Sequence, residues 1–175
     1  MKIVAVSDTN IFIDLVEIGL LDTFFDLPWE IHTTDMIIHE LKKAEQKEKV
    51  VEYYSNGRLH VKNYTSMEMS KLIMFHTLQR QKARVSVQDC SVWLYAKDNG
   101  YTLLTGDDRL RNAASKMGVD VHGIFYVIDK LVEMQLLSKM DAVDKLAKLI
   151  LSNPRLPLPE IDKRIKDWGG NKKMK

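Results

Sequence analysis

KIVAVSDTNIFIDLVEIGLL, residues 2–21, changes period part-way along. Lys2 to Ser7 is a short run rich in Val and Ile, the composition of a strand covered on both faces in a parallel sheet. Beyond Asp8 the apolar residues Ile11, Leu15, Ile18, Leu21, Phe24 and Phe25 recur at steps of three and four. Gly19 interrupts them, so two short helices are expected between Asn10 and Asp26. Asp8 therefore stands at the seam between a buried strand and a helix. What that seam means depends on whether other acids occupy similar ones.

The same alternation continues outward. WEIHTT (29–34) reads as a second strand, and Thr34 or Asp35 caps a helix expected to run through residues 36–56 to a stop at Gly57. RLHVKNY (58–64) is a further strand, and Ser66 opens the amphipathic segment at 67–81. Ser86 begins a helix over 87–99 that Gly100 stops. YTLLT (101–105), a helix over 107–117, Gly118 as its stop and VDVHG (119–123) complete the pattern. Strands alternating with helices over about the first 120 residues predict an α/β fold with a parallel sheet flanked by helices. From residue 124 the patterns at 124–137, 138–153 and 160–168 are all helical, with the proline-rich PRLPLP between the last two. Ser138 and Asp141 have capping-box spacing. We read a single domain over 1–175: a core to about 123, a helical extension over 124–168 and a frayed tail, GGNKKMK, at 169–175.

Composition narrows the classes. At 175 residues the chain has the size of one domain, and 45% hydrophobic with 29% charged residues describes a folded globular chain. No apolar run has the roughly 18 residues of a membrane span, and Asp8 comes too early for a signal-peptide core, so a cytoplasmic location is expected. The single cysteine, Cys90, excludes an internal disulfide and CxxC sites. The five histidines never fall at HxxxH spacing, so a metal would need oxygen ligands. A net charge of +2 gives no global field for nucleic acid; contacts must come from local clusters.

Four acids deserve comparison. In open parallel sheets ligands bind beyond the carboxyl ends of the strands, and Asp8 and Asp107 follow strands there. Glu40 lies about 60° from Ile37 around its helix, on the edge of the stripe formed by Ile37, Leu41 and Ala44. Asp89 sits close to the buried face marked by Val85, Val92, Trp93 and Ala96. Each has an ordinary alternative: Asp8 and Asp107 as N-caps, Glu40 as a partner of Lys43, and Asp89 as the acid of a capping box with Ser86. All four, however, are placed where one cleft collects them. Carboxylates that close repel one another, and Mg²⁺ or Mn²⁺ relieves the repulsion through oxygen ligands. Such a site suits attack of an activated water on a phosphodiester.

SDTNIFIDL (7–15), TTDMIIHEL (33–41), VSVQDCSVWLYAKDNGYTLLTGDDRLRNAA (85–114) and GVDVHGI (118–124), read in order, resemble the motif series of PIN domains. That is the metal-dependent ribonuclease fold that includes VapC-type toxins. By this resemblance Asp8, Glu40, Asp89 and Asp107 match the acidic quartet that is both catalytic and metal-binding. Asn10 and Thr105 match its supporting polar positions, and Asp108 is a neighbour able to substitute for Asp107 or to cap. The resemblance implies one or two Mg²⁺ or Mn²⁺ ions, RNA as substrate and an antitoxin protein as partner. The helices from residue 124 exceed the minimal domain.

Basic residues that flank the acids are Arg80, Lys82 and Arg84 before the Asp89 helix, and Arg109 and Arg111 after Asp107. They read either as phosphate contacts or as a solvated surface run. Trp93 reads as core. The apolar, Met-rich segments at 67–75 and 124–137 suit a homodimer or antitoxin interface, or simply packing. Two other functions stay open: a non-catalytic RNA-binding or scaffolding module, and a phosphoaspartyl phosphatase, whose DxDx[TV] motif lacks its second acid here because position 10 is Asn.

Overall fold

The computed structural model describes residues 3–169. Five parallel strands form one sheet: β1 (Val4–Ser7), β2 (Glu30–Thr34), β3 (Leu59–Lys62), β4 (Thr102–Leu104) and β5 (Val121–His122), in the order β3-β2-β1-β4-β5. The expected strand start at Lys2 and the tail beyond Gly169 lie outside the described residues. Around the sheet run α1 (Thr9–Glu17), α2 (Leu21–Phe25), α3 (Asp35–Glu40), α4 (Ala44–Ser55), α5 (Ser66–Ala83), α6 (Val87–Asn99), α7 (Asp108–Lys116), α8 (Ile124–Glu133), α9 (Lys139–Ser152) and α10 (Leu158–Asp167). The chain builds β1, β2 and β3 in one direction, then returns to lay β4 and β5 on the other side of β1. That reversal puts a switch point between β1 and β4, where open α/β sheets bind ligands.

The central strands are buried as their composition requires: Ala5, Val6, Leu103 and Leu104 have no exposed surface. Helix α6 packs across β1, β2 and β4; its Val92, Trp93 and Ala96 are fully buried, and Phe75 of α5 meets Trp93 edge-to-face at 4.9 Å. Trp93 is core, as its spacing indicates. Start signals behave as read at Ser86, whose hydroxyl and Asp89 form a reciprocal capping box, and Gly100 ends α6 at φ 67°. The cap of α5 is Thr65 and not Ser66, because Thr65 is the residue three positions before Glu68.

One expectation fails. The helix expected over residues 36–56 is two helices, with Leu41 extended at φ −65°, ψ 107° between them. In one straight helix Leu41 and Val50, nine residues apart, would point about 180° from each other. Both are buried, so the chain breaks after Glu40 to seat both. Ala44 is correspondingly exposed and does not continue the stripe.

The C-terminal helices share the core of the sheet. Ala142, Leu146, Leu149, Ile161 and Ile165 belong to the same buried cluster as Phe12 and Phe24. Lys145 donates to the Ile18 carbonyl at 2.7 Å, closing the end of α1, and Arg164 clamps Asp129 through Nε at 2.8 Å and Nη2 at 2.6 Å.

Candidate active site

Ser7 of β1 registers with Leu104 of β4, so the next residues out, Asp8 and Thr105, meet at the carboxyl end of the sheet. The Asp8 amide donates to the Leu104 carbonyl at 2.9 Å. Its side chain accepts from the Thr9 amide at 2.6 Å, the Thr105 hydroxyl at 2.8 Å and the Asn10 amide group at 3.4 Å. An ordinary N-cap accepts from the second or third amide of its helix. Asp8 instead binds the first amide and reaches across to another strand, so capping alone does not account for it.

Asp8 is 1% exposed, and burial pushes its carboxyl up to about 7. The negative charge of Asp89 adds to the rise and that of Glu40 adds less, while the donors Thr105 and Thr9 oppose it. Glu40 arrives as the last residue of α3, where the break at Leu41 leaves it, and accepts a short hydrogen bond from the Thr9 hydroxyl. Asp89 comes from the first turn of α6; its amide donates to Ser86 Oγ at 3.0 Å and its Oδ2 accepts from the Ser86 amide at 2.7 Å. It caps a helix and at the same time faces Asp8. Asp8, Glu40 and Asp89 line one cleft of about 340 Å³ together with Thr9, Asn10, Ile13, Lys42, Lys43 and Gln46.

Asp107 stands apart from that cleft. Its Oδ1 caps α7 by accepting from Arg109 N at 2.7 Å and Leu110 N at 3.0 Å, and its amide donates to Thr105 Oγ1 at 3.1 Å. The buried Thr105 hydroxyl thus joins Asp107 to Asp8 in sequence, backbone to hydroxyl to carboxylate. Asp108 points to solvent, 83% exposed, beside Arg111 at 3.4 Å. Of the two neighbours Asp107 is the one tied to the site. Three of the four expected acids share the cleft; the fourth, Asp107, is two hydrogen bonds removed from Asp8, through Thr105.

Among the described residues the oxygens of these acids do not form a set of three within 4.8 Å of one another; the group that does is Glu30, His32 and His60, elsewhere on the sheet. Wider spacing suits Mg²⁺, which keeps several waters between itself and its ligands. The all-oxygen donor set and the raised Asp8 carboxyl fit a hard divalent cation held by Asp8, Glu40 and Asp89.

The DUF3368 family model, described as a PIN domain, matches residues 4–169. The chain belongs to the PIN-domain family. A comparison with curated proteins gives no significant match. Among solved structures this PIN domain is similar to PAE2754 from Pyrobaculum aerophilum, at 13% identity and TM-score 0.54 over 76% of this chain and 99% of that one. It is also similar to VapBC2 from Rickettsia felis, solved bound to a DNA fragment from its promoter, at 14% identity and TM-score 0.48 over 69% and 98%. FitAcB from Neisseria gonorrhoeae follows at 14% identity and TM-score 0.42 over the same shares. PIN membership sets aside the phosphoaspartyl-phosphatase alternative.

The basic residues divide within the PIN domain. Arg80, Lys82 and Arg84 are exposed at the end of α5 and do not line the cleft. Arg109 lies 3.7 Å from Asp107, and Arg111 turns inward to donate to the Thr105 carbonyl at 3.3 Å. The cations that line the cleft are Lys42 and Lys43; the Lys43 ammonium pairs with Glu17 at 2.9 Å and not with Glu40, and Lys42 is the one that reading LKKAEQ as mid-helix conceals. Thr9, which touches both Asp8 and Glu40, was also passed over within DTN. Gly106 is a third: a Cβ there would lie 3.2 Å from the Asn10 Cβ, so its lack of a side chain lets the β4–α7 loop approach α1. No helix among the described residues is long and apolar enough to cross a membrane.

Proposed function

We propose that this PIN domain is a metal-dependent endoribonuclease. The observation that carries the reading is the cleft in which Asp8, Glu40 and Asp89 meet, with the Asp8 carboxyl held up at about 7 by burial and by its acidic neighbours. Asp8, Glu40 and Asp89 would hold one or two Mg²⁺ or Mn²⁺ ions. An ion held there would supply activation of a water and neutralisation of charge on the phosphodiester. Thr9 and Thr105 fix the rotamers of Glu40 and Asp8, Asn10 supports Asp8, and Asp107 keeps Thr105 oriented. Lys42 at the cleft wall receives a substrate phosphate, while the Lys43 ammonium beside it is paired with Glu17; the exposed Arg80, Lys82 and Arg84 are further phosphate contacts outside the cleft.

On the resemblance of its motifs to VapC-type toxins, we read the chain as the toxin half of a toxin–antitoxin pair working in the cytoplasm. Met67, Ile73, Met74 and Leu78 are exposed on α5 and offer apolar area to an antitoxin or to a second copy.

A non-catalytic RNA-binding module is the second reading, favoured by the engagement of Asp107 in capping. Purified protein freed of any partner should cut labelled single-stranded RNA in Mg²⁺ or Mn²⁺ and not in EDTA, and Asp8→Asn should abolish the cut. RNA that is bound but left intact in both metals favours the second reading; cutting that survives Asp8→Asn removes the site from the reaction.

A further inference from the structure

Glu30 and His32 lie two residues apart on one face of β2, and His60 of the edge strand β3 stands beside His32 in register. Glu30 Oε1 is 2.8 Å from His32 Nε2 and 4.0 Å from His60 Nε2, and the two imidazoles stack with centroids 4.7 Å apart. One ligand atom from each residue lies within 4.8 Å of the others. Glu30 opens β2, whereas the acid cleft lies beyond the strand's other end, so the two groups are separate.

We propose that Glu30, His32 and His60 form a second metal site, one that takes a zinc-class transition ion and ties the edge strand β3 to β2. Two imidazoles and one carboxylate are the donors that Zn²⁺ or Co²⁺ prefers, whereas Mg²⁺ has little affinity for nitrogen. The acid cleft and this group therefore sort metals by hardness.

A second observation points the same way. The other ring nitrogen of His32, Nδ1, lies 2.7 Å from the Tyr95 hydroxyl of α6. A ligating histidine almost always donates its remaining N–H to an oxygen, which fixes both tautomer and ring orientation. Tyr95 serves here because its hydroxyl donates to Nδ1 when the His32 proton is on Nε2, towards Glu30, and accepts when that proton has moved to Nδ1. Nε2 is then a lone pair aimed at the cation. His32 is only 7% exposed, while the His60 side chain is 53% exposed and gives the ion its way in. Metal–nitrogen bonds of about 2 Å need ligand atoms roughly 3 Å apart, and the exposed His60 rotamer supplies that closure.

The experiment uses the full-length protein, stripped with EDTA and titrated with Co²⁺ as an optical probe. We expect one equivalent to give a visible ligand-field band that one equivalent of Zn²⁺ bleaches. His60→Ala, at an exposed position, should abolish the band without changing the far-UV spectrum. Tyr95→Phe should weaken Co²⁺ binding by about 10–100-fold. Asp8→Asn should leave the band intact. No band in the parent protein, or a band that survives His60→Ala, overturns the proposal. A band lost on Asp8→Asn also overturns it, because the ion would then sit in the acid cleft. RNA cleavage is not read, so a failure here is independent of the nuclease reading.

Discussion

The Thr105 hydroxyl donates to the Asp8 carboxylate at 2.8 Å, joining residues 97 positions apart at the ends of two neighbouring strands. The same hydroxyl accepts from the Asp107 amide, so one buried oxygen links the floor of the cleft to the start of α7. Removing it should leave a buried carboxylate short of a donor. Thr105→Val is expected to cost about 1–3 kcal/mol in urea unfolding at pH 8, and less at pH 5, where Asp8 is protonated. An equal loss at both pH values would mean that the hydroxyl does not serve the Asp8 charge.

Asp8→Asn should stabilise the metal-free protein at pH 8 while eliminating its stabilisation by Mn²⁺. The folded-state carboxyl is raised from 3.8 to about 7. Its contribution is therefore fully present below about pH 4 and is lost as pH rises through 7. At pH 8 the charged, buried group opposes folding, and Asn removes that charge, a gain of about 1–2 kcal/mol after allowing for weakened hydrogen bonds. Thermal unfolding of both proteins from pH 5 to 8, with and without Mn²⁺, checks this. A parent protein whose stability does not fall over that range would contradict the buried-charge account.

Glu40→Gln and Asp107→Asn should separate the cleft from its neighbour. Glu40 lines the cleft, so its amide form should lose most of the Mn²⁺-induced rise in Tm. Asn is as good an N-cap as Asp, so Asp107→Asn should keep α7 intact and retain at least about half of that rise. A larger loss for Asp107→Asn than for Glu40→Gln would bring Asp107 into the ion's own ligand set.

Arg84 ends α5 in the left-handed region, φ 55° and ψ 41°, a conformation that costs a residue with a Cβ. Arg84→Gly should raise stability by about 0.5–1 kcal/mol. If Arg84 also takes phosphate, RNA affinity should fall in the same variant, with a shallower salt dependence in a filter-binding assay.

Ile161→Ala, far from the cleft in α10, should destabilise the whole protein by about 2–4 kcal/mol in a single transition, since Ile161 is 1% exposed in the shared core. Two separate transitions would show that the C-terminal helices fold as a unit of their own.

The sequence by itself determined the order and kind of nearly every element. Local chemistry is sufficient there: Val and Ile runs specify covered strands, Ser86 and Asp89 cap α6, and Gly100 ends it. It also marked Asp8, Glu40 and Asp89, because each sits at a strand end or helix edge that periodicity reveals. Only the tertiary structure decided what these residues meet. The break after Glu40 carries no Gly or Pro; it arises because Leu41 and Val50 must both reach the core, a demand made by packing. The capping of α7 by Asp107 is legible in the sequence, but that Asp107 lies outside the cleft lined by Asp8, Glu40 and Asp89 is settled by where the fold sets the start of α7. His32 and His60, 28 positions apart, gave no metal-ligand spacing because lateral register between neighbouring strands, not distance along the chain, sets them face to face. Periodicity tells a side chain which way to point; strand order and packing choose its partner.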